Sequence, residues 1–365
     1  MIPLDDKFLS GNPSPAYRID VDGKDISSTL QPRLMSLTLT DNRGFEADQL
    51  DIELDDSDGE LALPRRGVTL SVSLGWQGEA LIHKGTFTVD EIEHSGAPDK
   101  LTLRGRSADF RDSLNIRREQ SYHNVTLGDI LTLIAQRNKL TAALTPTLAA
   151  ITITHIDQTN ESDGNFITRL AQQQGAIAAI KKGTLLFIPP GRGKTASGKP
   201  IPAFTLIRNL GDSHQFSVAD RSAYTGVVAH WFNTRSTKKE TVSVKRRSNS
   251  STVREDKKTE KKGRYLIGTD ENILLLRTTY ATKTNAQRAA QAKWQQLQRG
   301  VAKFSLQLAK GRADLYPETP INVSGFKQEI DEANWTLTTA THTLSDNGFT
   351  TALTLEVKID KGDMA

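Results

Sequence analysis

Two stretches of the chain, 17–106 and 315–357, alternate apolar and polar residues with a period of two. Leu50, Ile52 and Leu54, for example, are separated by acidic residues. Turn residues such as Gly, Asp and Asn interrupt both stretches at short intervals. Alternation broken by frequent turns is typical of antiparallel barrels and sandwiches. The pattern therefore predicts two small antiparallel β-barrels per chain.

Helical spacing of apolar residues occurs between these two stretches. Thr126 is predicted to cap the first helix, and Gly175 to end the second. Thr284 is predicted to cap the third, because Gln287 follows at the spacing of a capping box. The predicted helices cover residues 127–138, 165–174 and 285–299. Short strands are expected near 177–180 and 185–188.

The predicted fold class is a β-rich α+β chain organised in four parts. A first barrel occupies residues 1–110, and an inserted α/β domain with its linker occupies 111–202. A second barrel combines residues 203–245 with 301–365. Residues 246–300 form a charged loop or hairpin followed by a helix.

Composition narrows the class of protein. Of 365 residues, 36% are hydrophobic and 25% charged. No apolar run approaches the roughly 20 residues of a membrane span, so we expect no membrane insertion. Asp5 and Asp6 lie where an export signal would carry basic residues, and there is no cysteine for disulfides. We therefore expect synthesis and assembly in a cytoplasm.

Charge is distributed very unevenly along the chain. Residues 1–110 hold 11 Lys and Arg against 20 Asp and Glu, whereas residues 235–264 hold 12 against 4. Such opposed charges can join two surfaces of one chain or of neighbouring copies, or can contact a polyanion. The candidate interface residues are Asp51, Glu53, Asp55, Lys245, Arg246, Arg247, Lys257 and Lys258.

Three features of the sequence suggest a nucleotide or metal site, but each lacks a residue or a spacing that such a site requires. Gly193, Gly198 and Lys199 have P-loop spacing, but Pro200 stands where a magnesium-binding Ser or Thr is required. The acidic stretch 48–60 has no EF-hand spacing and reads as the polar face of a strand. The seven histidines lie far apart in the sequence, without the close spacing of a zinc site. We therefore expect no cofactor and no metal.

No nucleophile motif such as Gly-x-Ser-x-Gly is present, and we predict that the chain is not an enzyme. A carboxylate pair for glycoside cleavage is assembled by folding, so an enzyme that degrades the cell wall stays open as a further hypothesis.

The basic segment 235–264 leaves a second function open, that of a nucleic-acid-binding regulator. Its cations could contact phosphates by charge alone. Aromatic residues that would stack on bases are missing until Tyr265. A hairpin that docks on an acidic protein surface therefore fits the segment better.

The order of several motifs resembles the phage late control D proteins, which are hub proteins of contractile tails and are similar to the hub portion of type VI secretion spikes. The resemblance rests on residues 17–41, 47–76 and 84–109, followed by Trp335 and the run 341–356. Together these motifs span nearly the whole chain.

The resemblance implies a homotrimer in which each chain contributes two barrels to a ring of six with pseudo-sixfold symmetry. Such a ring would match the hexameric tail tube on one side and a separate trimeric spike protein on the other. It would form the channel for DNA ejection, with DNA present only in transit. The implied location is the baseplate of the virion tail. The tape measure and baseplate wedge proteins are further implied partners.

Overall fold

The computed structural model describes residues 14–107, 112–218, 224, 226–233, 236–245, 272–299 and 301–357. The strands of the first third are β1 (Pro15–Val21), β2 (Lys24–Asp25), β3 (Leu34–Asn42), β4 (Gln49–Asp55), β5 (Thr69–Trp76), β6 (Ile82–Ser95) and β7 (Lys100–Ser107). The strands of the middle are β8 (Arg117–Thr126), β9 (Thr141–Leu144), β10 (Thr152–Ser162), β11 (Ile177–Lys181), β12 (Thr184–Ile188), β13 (Phe204–Ile207) and β14 (Gly211–Val218).

The remaining strands are β15 (Gly226–Asn233), β16 (Lys238–Lys245), β17 (Ile273–Tyr280), β18 (Ala302–Leu308), β19 (Pro320–Ser324), β20 (Trp335–Ser345) and β21 (Gly348–Val357). The helices are α1 (Ser27–Leu30), α2 (Leu127–Arg137), α3 (Pro146–Ala149), α4 (Asp163–Gln174), α5 (Lys283–Arg299) and α6 (Gln328–Asp331). The predicted β-rich fold with mainly antiparallel sheets is confirmed.

Thirteen strands join into one sheet that has two halves. The first half runs in the order β3-β4-β7-β6-β5-β1, with the short β2 at its edge. The second half contains β14, β18, β21, β20, β19 and β13. Each half thus has six main strands, and the two halves are continuous through hydrogen bonds between β3 and β20.

Strand β20 connects the two halves because one of its edges is divided between two partners. Its first residues, Trp335 and Thr336, pair with β19 of the second half. Its later residues, 339–345, pair with residues 36–42 of β3. The opposite edge of β20 pairs with β21. A single strand therefore belongs to both halves.

Each half has its own hydrophobic core, formed by the apolar positions of the alternating strands. The core of the first half also contains Ala313, Leu344 and Phe349 from the far end of the chain. Trp76 donates from Nε1 to the carbonyl of Gly311 at 3.0 Å. A Cβ at Gly311 would lie 2.5 Å from the Phe349 ring, so only glycine fits at this closely packed position.

The inserted α/β unit has a separate core built on α2 and α4. Thr126 and Asp129 form the predicted cap of α2, with each side chain bonded to the other's backbone N–H. Helix α4 begins two residues before its predicted start, at a Ser162 cap, and ends as predicted at Gly175, which is left-handed. Phe45 of the first sheet half packs against this core.

Residues 226–245 were expected in the second barrel, and the structure places them elsewhere. Strands β15 and β16 pair with each other, and β15 also pairs with β17. Their apolar side chains pack on α5 through Ala286, Ala290 and Trp294. This separate core explains the difference, because an apolar helix face recruits these strands. Helix α5 is capped by Thr282 and not by Thr284, since Thr282 Oγ1 accepts from the N–H of Asn285 at 3.2 Å.

Candidate functional site: an acidic sheet face and a buried charged junction

The three acidic candidates, Asp51, Glu53 and Asp55, lie on one face of β4. Their apolar neighbours on that strand are buried in the first core, as the alternation predicted. Lys245 is the last residue of β16. Arg246, Arg247, Lys257 and Lys258 lie outside the described residues.

Cations from the neighbouring strand β7 already contact this acidic face. Lys100 Nζ lies 3.0 Å from Glu53 Oε1. Arg104 lies 3.8 Å from Asp51 and contacts Glu91 and Glu93 of β6 at 2.8 Å each. The contact between Lys100 and Glu53, 47 residues apart, could not be predicted from the sequence, because the two become neighbours only through the strand register.

The ionisation of the acidic face follows from these contacts. The hydrogen bond from Lys100 holds the pKa of Glu53 below its usual value. Burial raises the pKa of Asp51, and Arg104 only partly opposes this. Hydrogen bonds from Ser57 lower the pKa of Asp55. The face, defined here as Asp51, Glu53 and Asp55 with Glu91 and Glu93, is therefore only partly neutralised by Lys100 and Arg104.

A second charged group is buried where three parts of the chain meet. Lys84 of β6 lies 3.2 Å from Asp41 of β3 and also donates to the carbonyls of Ala313 and Leu315. Lys181 of the α/β unit lies 2.9 Å from Asp41. The first sheet half, the α/β unit and the loop between β18 and β19 of the second half thus meet around the Asp41–Lys84 pair.

Asp48 completes this ionic junction, which consists of Asp41, Asp48, Lys84 and Lys181. Lys181 Nζ lies 2.5 Å from Asp48 Oδ1. The carboxylate of Asp48 also accepts the backbone N–H of Asn42 at 2.8 Å. Two carboxylates therefore face two ammonium groups, which is the arrangement that makes buried charge tolerable.

Burial and pairing act in opposite directions on the four groups. Burial would raise the pKa of Asp41, but Lys84 and Lys181 outweigh it and hold the pKa below its usual value. Burial lowers the pKa of Lys84. Burial also opposes the charge of Lys181, yet the two carboxylates raise its pKa. Burial and the nearby Asp41 raise the pKa of Asp48.

A second ionic group links the sheet halves nearby. Arg43 contacts both Glu318, at 2.5 Å, and Glu356 of β21. Arg299 at the end of α5 lies 3.7 Å from Glu356. Glu318 also accepts the backbone N–H of Gly191 at 2.7 Å, and burial raises its pKa. The linker and α5 are thereby tied to the same region.

His342 is fully buried in β20, opposite Leu39 of β3. Its Nδ1 lies 3.0 Å from the hydroxyl of Thr351. Burial, with a further contribution from Lys84, lowers the pKa of His342 to about 3. The ring is therefore neutral in the folded protein at physiological pH.

Sequence carried a signal for two of these buried groups. Asp41 follows Leu37 and Leu39 at the core-facing positions of β3, and His342 lies between Ala340 and Leu344 in β20. A polar residue at a position where the alternation predicts a buried side chain indicates that this side chain has a polar partner in the interior. The partners themselves depend on the fold, since Lys84 and Lys181 lie 43 and 140 residues from Asp41. Thr351, nine residues from His342, becomes its partner through the pairing of β20 with β21.

A groove of about 900 Å³ opens beside the ionic junction. Its lining combines the junction with apolar side chains, among them Ile82, Phe87, Ile177 and Tyr316.

Across the described ranges, no group of three or more His, Cys, Asp or Glu side chains is placed to hold a metal ion. In the same part of the chain, no helix is both long and apolar enough to span a bilayer.

The family model for the phage tail baseplate hub (GPD) matches residues 42–348, and the chain belongs to this family. It is 54% identical over 364 residues to the probable baseplate hub protein of Escherichia phage 186, covering 95% of this chain and 94% of that protein. The probable baseplate hub protein of Escherichia phage P2 is 53% identical over 363 residues, with the same coverage.

Solved structures with low sequence identity share the fold. The 43 kDa tail protein of prophage MuSo2 from Shewanella oneidensis superposes with a TM-score of 0.63 at 14% identity, covering 94% of this chain and 98% of that one. An E. coli component of the type VI secretion system, described as similar to the T4 tail proteins gp27 and gp5, gives 0.54 at 13% identity, covering 95% and 79%. The resemblance stated from the motifs is confirmed, since the chain belongs to the phage tail baseplate hub family and is similar to the probable hub proteins of phages P2 and 186.

We expect removal of one cation from the ionic junction to destabilise the fold. Lys181→Met keeps the aliphatic length but leaves Asp41 and Asp48 close together without their shared cation. The expected loss is about 2–4 kcal/mol in the free energy of unfolding, measured by urea denaturation at neutral pH. Lys182→Met is the matched control, because Lys182 is adjacent and exposed, and its expected effect is within about 0.5 kcal/mol. Equal losses in both variants would contradict the structural role of the junction.

His342 should make the stability of the fold depend on pH. The unfolded chain protonates this ring near its ordinary value of 6.5, whereas the folded chain resists protonation down to about pH 3. Stability is therefore fully present above 6.5 and falls as the pH is lowered toward 3. Between about pH 7.5 and 5 the expected contribution of His342 is a loss of about 2 kcal/mol.

The measurement compares urea unfolding of the parent and of His342→Gln at both pH values. Glutamine keeps a hydrogen-bonding partner for Thr351 but does not titrate. The variant should lose less stability on acidification than the parent, whatever its stability at neutral pH. An identical loss in both proteins would show that His342 does not carry the effect.

Proposed function

We propose that three copies of this chain form a closed ring that joins the hexameric tail tube to the trimeric central spike and encloses the channel for DNA ejection. The observation that carries this proposal is the presence of two six-stranded sheet halves in one chain. Each half closes into a barrel in the assembled ring. Three chains then supply six similar units, which suit a sixfold partner on one side and a threefold partner on the other.

Rigid spacing between the two halves supports this role. In a ring with pseudo-sixfold symmetry, the rotation that relates the two halves of one chain must equal the rotation that relates adjacent halves of neighbouring chains. The β3–β20 ladder, the bonds of Lys84 to the carbonyls of Ala313 and Leu315, and the contacts of Arg43 all restrict movement of one half against the other. A chain with two independently mobile halves would not define such a ring.

The acidic face is the proposed contact for the basic residues of a neighbouring copy. It carries five carboxylates against two cations, so it retains negative charge. The complementary side consists of the basic candidates Lys245, Arg246, Arg247, Lys257 and Lys258. Opposed charges of this kind fix the orientation of partners more than they add affinity.

The further partners of the ring are the tape measure protein and the baseplate wedges, and its role is structural, without a catalytic step. A nucleic-acid-binding regulator would differ in its response to salt. Its binding to DNA would fall steeply with ionic strength, whereas a ring held by buried surfaces would not dissociate.

The first test is the mass of the purified chain by light scattering, alone and with the spike protein of the same tail. We expect a species of three times the 40.2 kDa chain mass, in low and in high salt, in at least one of these mixtures. Retention of DNA serves as the control, and we expect none at physiological ionic strength. A chain that stays monomeric with its spike and binds DNA in a salt-dependent manner would overturn the proposal.

Neutralising the acidic face should weaken the contact between copies. In the double variant Asp51→Asn and Glu53→Gln, we expect dissociation of the ring at roughly tenfold higher protein concentration at low salt, measured by light scattering across a dilution series. Asp22→Asn is the control, because Asp22 is exposed in the turn between β1 and β2 and Asn tolerates its positive φ of 49°. If both variants assemble like the parent, the acidic face is not the contact.

A further inference from the structure

Two histidines that are distant in the sequence lie side by side on an exposed ribbon. Strands β8 and β10 form a two-stranded antiparallel sheet, in which His123 and His155 are directly opposite each other. Their Nδ1 atoms are 3.1 Å apart, and their ring centroids are 4.6 Å apart. Both side chains are exposed, so solvent ions can reach them.

A neighbouring carboxylate selects the tautomer of one ring. His155 Nε2 lies 3.1 Å from Asp157 Oδ2. When Nε2–H donates to this carboxylate, the Nδ1 atom of His155 carries a free lone pair, and that atom is the one facing His123. Histidines that bind metals commonly donate their other ring N–H to a carboxylate in this manner.

The separation of the two nitrogen atoms suits a shared metal ion. Zinc binds imidazole nitrogen at about 2.0–2.1 Å, so two ligands on a tetrahedral ion lie about 3.3–3.4 Å apart. Two ligands at a right angle, as on a tetragonal ion, lie about 2.9 Å apart at the same bond length. The observed 3.1 Å falls between these values. The rings are stacked with an inclination of 22°, so metal binding requires both exposed rings to rotate about χ2 until their lone pairs meet at one ion.

We propose that His123 and His155 bind one divalent transition-metal ion through their Nδ1 atoms, with Asp157 as a positioning residue and water in the remaining coordination positions. The site has two protein ligands, and Asp157 contacts the metal only through His155. Zn²⁺, Cu²⁺ and Ni²⁺ are the ions whose chemistry suits imidazole. Binding requires both rings in the neutral state, so one Nδ1 proton moves to the other nitrogen of its ring or to solvent. The site does not depend on the proposed ring.

Calorimetric titration of the metal-free full-length chain with Zn²⁺ tests this site. We expect one ion per chain, and at least a tenfold loss of affinity in both His123→Ala and His155→Ala. His83→Ala is the matched control, because His83 is an exposed histidine on β6, far from the ribbon in the strand pairing. It should bind Zn²⁺ like the parent. Undiminished binding in His123→Ala or His155→Ala would overturn the site.

The Asp157→Asn variant tests whether Asp157 orients the ring of His155 without being a metal ligand itself. It should weaken Zn²⁺ binding by about 10- to 100-fold while the stoichiometry stays at one. Affinity should also fall as the pH is lowered from about 7.5 to 5.5, since protons compete for the imidazole nitrogens. Copper EPR should show two coordinated nitrogens in the parent and one in His155→Ala. Parent spectra with a single nitrogen would mean that the two rings share only a hydrogen bond.

Discussion

Burying two lysines and two aspartates at one point is the constraint on which the arrangement of this chain depends. Each charged group loses hydration, and only a complete set of partners restores the lost free energy. Asp41, Asp48 and Lys84 come from the first sheet half, whereas Lys181 comes from the α/β unit. If the α/β unit moved away from the first sheet half, charged groups would be left without their partners in a buried region. Ionic contacts therefore specify how these parts meet, while apolar packing stabilises each part internally.

The sheet and the ionic contacts restrict different movements. Hydrogen bonds between β3 and β20 fix the register of the two halves, since a slip of one residue would turn buried side chains such as Leu39 to the opposite face. Arg43 links the end of β3 to Glu318 and Glu356, which resists rotation of the second half about that ladder. Together, the ladder and the Arg43 contacts hold the two halves in one relative position.

Local chemistry was readable from the sequence, and long-range partners were not. The alternation on β4, the Thr126 cap of α2 and the Gly175 stop of α4 depend on residues within a few positions of each other, and all three were predicted. Glu53 was predicted as an interface residue from the sequence, but Lys100, its partner on the neighbouring strand, was not. The assignment of 226–245 was wrong for the same reason. Those strands have a pattern suited to any sheet, and only packing against α5 decides which one they join.

The composition of the first core has a consequence for the order of synthesis. Ala313, Leu344 and Phe349 fill that core, and β20 completes its sheet, although the other strands of this half end at residue 107. A nascent chain therefore cannot complete its first domain until almost its entire length has left the ribosome. Contacts of such large sequence separation slow folding, because the loop must close before they form. The edge of β3 has no partner strand until β20 has been synthesised, and the pairing of β20 then makes that edge inaccessible to other chains.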